Sequence, residues 1–120
     1  MQTATPDAPW SITYSDGSAN QTELSSDAAG AVFAYLPVTP ERSSTGMYSG
    51  GAPRSGRLDA HQLEALWHRV RAFEADASLQ TSDRMKGTGA FWITEATGTR
   101  TFIVLRGPLL LAWDAFLAAL

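Results

Sequence analysis

Cysteine is absent from this 120-residue chain, and histidine occurs only twice. The first absence excludes disulfides, thiol nucleophiles and thiolate metal sites together. The second leaves little for a metal centre or for imidazole acid–base chemistry. Charge is sparse too: 18% of residues are charged, nine basic against twelve acidic, for a net of −3. The chain carries neither the basic footprint of a nucleic-acid binder nor a basic stretch for a membrane surface. No apolar run reaches the roughly 18 residues that a membrane helix needs. Apolar residues nevertheless make up 44% of the chain, enough for one domain of this length to hold a core without staples.

The segment from Met1 to Pro9 has no basic start and no apolar stretch, and after Met1-Gln2 it holds only small residues, two prolines and one acid. It predicts a disordered leader over residues 1–8, with a single soluble domain over 9–120 and a cytoplasmic location.

Hydrophobic periodicity orders the rest. Trp10 to Tyr14 alternates as a strand does, and Asp16-Gly17 marks a turn. Gln21 to Leu24 reads as a return strand, with a loop from Ser25 to near Gly30. Ala31 to Leu36 is a compact run of strand formers, stopped by Pro37 and Pro40. Residues 41–57, rich in Ser and Gly, read as an ordered surface loop with a brief edge strand at Met47-Tyr48.

The clearest helix runs from Asp59 to about Ala75. Asp59 is placed to cap it, with Gln62 as the capping-box partner. Leu63, Leu66, Trp67, Val70 and Phe73 form its apolar stripe. After a polar connection over Ser78–Thr88, Gly89–Thr94 and Thr99–Leu105 read as a hairpin. Pairing like with like sets Ile93 opposite Phe102 and Phe91 opposite Val104. A four-residue loop would instead set Ile93 opposite Arg100. Phe91, Ile93, Phe102 and Val104 share one face of the hairpin; Trp92, Ile103 and Leu105 share the other. Pro108 opens a last helix, with Leu109, Trp113, Phe116, Leu117 and Leu120 along one side and Asp114 as its only charge.

The order of strands, helix, hairpin and helix predicts an α+β fold. An antiparallel β-sheet packs against the one long helix, and the C-terminal apolar helix closes the other face or an edge. The expected core is Ile12, Phe33, Leu63, Leu66, Val70, Phe73, Phe91, Ile93, Phe102, Val104, Trp113, Phe116 and Leu117.

Little in the sequence signals catalysis. His61, Glu64 and His68 fall on one helical side, but the histidines stand two turns apart, about 10 Å along the axis, too far for one tetrahedral ion. They read as a solvated face. Lys86-Gly87-Thr88-Gly89 inverts the order of a phosphate-binding loop, with the lysine before the glycines and a strand after them. No Gly-x-Ser-x-Gly elbow is present. The expectation is a chain that is not an enzyme and that takes no metal and no cofactor.

The stretch around Ser49-Gly50-Gly51 offers backbone that another molecule can approach closely, with Tyr48 beside it as an aromatic anchor. Tyr48, Gly50, Gly51, Arg54, Arg57 and Trp92 are the predicted contact residues of a protein-binding module, with no nucleic acid and no membrane as partner. Two alternatives stand beside it. One is a homo-oligomeric accessory protein that buries the second hairpin face, or Leu110 and Leu111, against a copy of itself. The other is a small-molecule-binding domain with His61 or His68 and Arg84 near a pocket.

Tyr48-Ser49-Gly50-Gly51, the helix with Leu63, Leu66 and Val70, the hairpin from Phe91 to Leu105 and the leucine-rich end together show an element order over residues 48–120. That order resembles the emfourin-type protein inhibitors of thermolysin-like metallopeptidases and the small bacterial proteins grouped around them. Those carry an early Ser-Gly-Gly segment, one long helix, a hairpin and a leucine-rich C-terminal end. Tyr48 stands where that family tends to have a charged residue, and at least two further strands precede the Ser-Gly-Gly here. The resemblance implies a non-enzymatic binding protein, with protease inhibition as its most specific form.

Overall fold

The computed structural model describes Thr5, Pro6 and residues 9–120, so most of the leader expected over 1–8 lies outside the described residues. Among the described residues seven strands form one antiparallel sheet: β1 (Ser11–Ser15), β2 (Gln21–Asp27), β3 (Gly30–Leu36), β4 (Arg54–Leu58), β5 (Gln80–Thr81), β6 (Gly89–Glu95) and β7 (Gly98–Val104). Their spatial order is β4-β3-β2-β1-β6-β7-β5. Among the described residues two α-helices complete the domain, α1 (Ala60–Ala75) and α2 (Pro108–Ala118), with a single 3-10 turn at Ala77–Leu79. The α+β class is as predicted, and among the described residues no helix is long and apolar enough to cross a membrane.

The N-terminal meander differs from the sequence reading in two places. Ser25, Ser26 and Asp27 continue β2 and pair with Val32, Ala31 and Gly30, so the expected loop shrinks to the two-residue turn Ala28-Ala29. The edge strand is Arg54–Leu58, and residues 47–48 are not in a strand. Ser55-Gly56 has little strand propensity of its own. It is held as a strand by pairing with β3, where Gly56 faces Phe33.

Helix α1 begins as predicted. The Asp59 carboxylate accepts from the Gln62 amide at 2.7 Å, and the Gln62 side chain accepts from the Asp59 amide at 2.8 Å. Leu66, Trp67, Val70 and Phe73 are buried against the sheet. Trp10 meets Trp67 edge-on at 5.1 Å, and Phe73 meets Phe91 at 5.4 Å.

Helix α2 covers neither the other face nor an edge. Trp113 contacts Phe73 of α1 at 6.0 Å and also Tyr14 and Phe91 of the sheet, at 5.7 and 5.3 Å. Both helices therefore lie on one face. The reason is the rest of the opposite face. Outside the hairpin it is mainly polar: Ser11, Thr13, Gln21, Glu23 and Ser25 line it, with Val32, Ala34 and Leu36 of β3 as its apolar members. The buried line of α2 is Leu110, Trp113 and Leu117, while Leu109 is exposed. Leu63, Phe102 and Phe116 are partly buried at the core's margin, and Trp10, Tyr14, Leu24, Ala31, Leu58 and Trp67 join it.

The hairpin takes the register with Ile93 opposite Arg100 and Phe91 opposite Phe102. Gly98 closes its turn at φ +129°, a conformation that glycine adopts freely. The two registers differ by two residues, and a two-residue slip leaves every side chain on its own face. Apolar matching alone therefore decides poorly between them, whereas ionic partners do. Arg100 reaches Glu74 of α1 at 2.8 Å and Glu95 at 2.5 Å, and Arg71 joins Glu95 at 3.1 Å.

Burial alone would raise the Glu95 carboxyl, but the hydrogen bonds and charges of Arg71 and Arg100 outweigh it and hold the group below its ordinary range. A depressed carboxylate contributes stability that is present above its unfolded pKa, about 4.3, and is lost as pH falls through the folded value. Arg100→Met should accordingly cost about 1–2 kcal/mol at neutral pH, between the exposed and buried limits for ion pairs. Urea unfolding of the two proteins should converge as pH drops below that range. An equal gap at all pH values would mean that Arg100 acts only through packing.

Candidate functional site

The β1–β2 turn, the end of the 37–53 loop and the C-terminal half of α2 enclose a cleft of about 590 Å³. Its floor is the helix-bearing face of the sheet at Tyr14, Thr22, Phe33 and Tyr35. Asp16, Gly17 and Ser18 form one wall, Asp114, Leu117 and Ala118 another, and Gly50 and Arg54 the rim.

The turn wall is built around Asp16, whose carboxylate accepts from the Ser18 amide at 2.8 Å and from the Asn20 amide at 3.0 Å. The turn passes through Ala19 at φ +67°, the only non-glycine residue with positive φ among the described residues. Asn20 is 5% exposed and meets its hydrogen-bonding needs across three segments. Its Nδ2 donates to Asp16 Oδ2 at 3.0 Å and to the Tyr48 hydroxyl at 2.9 Å, and its Oδ1 accepts from the Val38 amide at 2.8 Å. The Gly50 amide donates to the Val38 carbonyl at 2.9 Å and closes the loop upon itself. The Tyr35 hydroxyl donates to the Gly50 carbonyl at 2.7 Å.

On the helix wall, the Tyr14 hydroxyl donates to Asp114 Oδ1 at 2.5 Å. Burial first, and the charge of Asp16 with it, push the Asp114 carboxyl above its ordinary range, against the opposing effect of the Tyr14 hydrogen bond. Burial, and then Asp114, raise the Tyr14 phenol far enough that it stays protonated. Tyr35 is raised as well, by burial and by Asp16. Arg54 donates to the carbonyls of Leu117, Ala118 and Leu120 at 3.2–3.4 Å and so satisfies the open end of α2. Its guanidinium also lies 5.5 Å from the centre of the Tyr35 ring.

The predicted contact residues divide between two places. Gly50 and Arg54 line the cleft, Tyr48 is tied to it through Asn20, and Gly51 follows at φ +100°. Arg57 and Trp92 are not part of it. Arg57 pairs with Asp27 at 2.5 Å. Trp92 is 43% exposed on the open face, four strand positions from β4, roughly 19 Å. Beside Trp92 a second groove of about 370 Å³ runs past Ile103, Thr101 and Thr81.

His61 and His68 are exposed on the outer side of α1, and among the described residues no group of three His, Asp or Glu side chains is placed to hold a metal ion. The sequence reading missed Tyr14, Asn20, Tyr35 and Asp114 as site residues. For Asp114 a signal existed, a single charge in a helix apolar on nearly every side. Tyr14, Asn20 and Tyr35 have no local mark, because only the fold brings them together with one another and with Asp114. Compared with protein-family models, curated proteins and solved structures, the chain matches none.

Proposed function

We propose that the chain is a protein-binding module, acting by contact rather than by chemistry, with the closed loop over residues 38–50 as its contact element. One observation carries this reading. The loop is tied at its base through Asn20 and the Gly50-to-Val38 hydrogen bond, yet presents Met47 at 84% and Tyr48 at 39% exposure. A loop already held in one shape loses little freedom on binding, and exposed apolar side chains on it gain most from desolvation. The resemblance to emfourin-type inhibitors makes a thermolysin-like metallopeptidase the first partner to test, and inhibition the finer form of the proposal.

Titration calorimetry against such a peptidase, with an activity assay beside it, is the direct test. Met47→Ala and Tyr48→Ala should each weaken the complex by about 1–2 kcal/mol, roughly 5- to 30-fold. Trp92→Ala should leave it unchanged. Full affinity in the Met47→Ala/Tyr48→Ala double variant would remove the loop from the proposal. A second reading, self-association through the open sheet face, draws on the exposure of Trp92 next to Ile103. A light-scattering mass of one protomer at high concentration would dispose of it.

A further inference from the structure

We propose that the cleft between the sheet and α2 binds a small organic ammonium group, with Asp114 receiving the charge and the rings of Tyr14, Phe33 and Tyr35 walling the carbon atoms beside it. The inference stands on the cleft alone and does not depend on the loop contact.

Asp114 is the starting point. It is the only charged residue of α2, it is partly buried, and its hydrogen-bond partner is a neutral phenol, Tyr14. No arginine, lysine or histidine among the described residues lies within ion-pair distance of it. A carboxylate withdrawn from water without a counter-charge is costly. Asparagine would accept the same Tyr14 hydrogen bond with no charge to bury. The fold needs an acceptor at this position, and it does not need an acid.

The surroundings favour a cation as the missing charge. Asp16 adds a second negative charge, and it acts in the same direction on three groups of the cleft, raising Asp114, Tyr14 and Tyr35 alike. Its own carboxylate is taken up by the β1–β2 turn, which leaves Asp114 as the receiving group. Two cations stand nearby. Arg54 is committed to the carbonyls at the end of α2. Arg84 is committed to the Ser15 carbonyl at 3.2 Å and to the Thr88 hydroxyl at 2.7 Å. Aromatic faces attract an ammonium through their electron-rich centres, and Arg54 over Tyr35 already shows a cation in that position. The volume, about 590 Å³, lies in the range of small-ligand sites. An anion would meet the field of both carboxylates.

The ammonium group can be that of a free amine or that of a lysine side chain on a partner, and the test separates the two. Backbone amide shifts of the labelled full chain are followed while n-butylammonium chloride, N-acetyl-lysine N-methylamide or sodium butyrate is added. The expected result is saturable movement at Gly17, Thr22, Gly50 and Asp114 with both ammonium probes, and affinity for butyrate weaker by about tenfold or more. A lysine derivative that binds more tightly than butylammonium points to a partner's side chain; equal binding points to a free amine. Asp114→Asn should weaken both ammonium probes by about tenfold. In the unaltered chain their affinity should fall as pH drops through the Asp114 titration, a measurement that decides the matter if the variant does not fold. Met47→Ala should leave these affinities unchanged, so failure here and failure of the loop contact are separate results. Butyrate binding as tightly as butylammonium, or ammonium binding indifferent both to pH and to Asp114→Asn, would overturn the proposal.

Discussion

Replacing Trp113 by alanine should destabilise the domain by about 3–5 kcal/mol, a large share of the roughly 5–15 kcal/mol that domains of this size possess. Trp113 is fully buried. It is the side chain through which α2, α1 and the sheet meet, touching Phe73, Tyr14 and Phe91 as well as Phe116 on its own helix. Its indole N–H has no hydrogen-bond partner, so truncation strands no polar group. The loss is packing and the cavity left between three rings that cannot all move inward. Urea unfolding followed by circular dichroism should show the midpoint falling with little change in slope. A loss below about 1 kcal/mol would mean that the aromatic cluster collapses to fill the space.

The second large effect is expected at Gly50. A β-carbon there would stand 1.9 Å from Asn20 Oδ1 and 3.0 Å from the Pro37 β-carbon. Asn20 cannot swing aside cheaply, because the same side chain holds the Val38 amide, Asp16 and the Tyr48 hydroxyl. Gly50→Ala should therefore break the base of the 38–50 loop and cost about 1–3 kcal/mol. The informative readout is local. Amide exchange at Val38 and Gly50 should accelerate and cleavage by protease within residues 41–49 should rise, while Phe91 and Trp113 keep their protection. Unchanged exchange at Val38 would show that the loop does not depend on Asn20.

These two positions also show what the sequence makes legible. Trp113 belongs to the apolar pattern of a helix, and periodicity finds it. At Gly50 the sequence suggests backbone that a partner can approach, whereas the group that approaches it is the Asn20 side chain of the same chain. The capping box at Asp59 and Gln62 was readable because both partners lie within one turn of helix. The allocation of faces in the β6–β7 hairpin was readable because alternation carries it. The register was not, since a two-residue slip preserves those faces, and the deciding partner of Arg100, Glu74, lies on another element. In the sequence, a last helix apolar nearly all round and an apolar outer face of the hairpin together point to α2 on that outer face. The five other strands make that face mainly polar, a property of the assembled sheet. The cleft is less legible still, for Tyr14, Tyr35 and Asp114 are a hundred residues apart at the extremes and share no motif.

The strand order has a consequence for how the chain is made. β1 lies at the middle of the sheet, between β2 and β6, and Ser11 finds its partner Thr94 only after about eighty more residues have been added. At synthesis rates of about 5–20 residues per second, one side of β1 waits roughly 4–16 s for the strand that will cover it. During that interval the N-terminal meander carries an uncovered edge at what later becomes the centre of the sheet, in the form most open to pairing with another nascent chain. The seam between β1 and β6 is thus both the strand pairing of greatest sequence separation in the sheet and the point at which crowding during expression would first be felt.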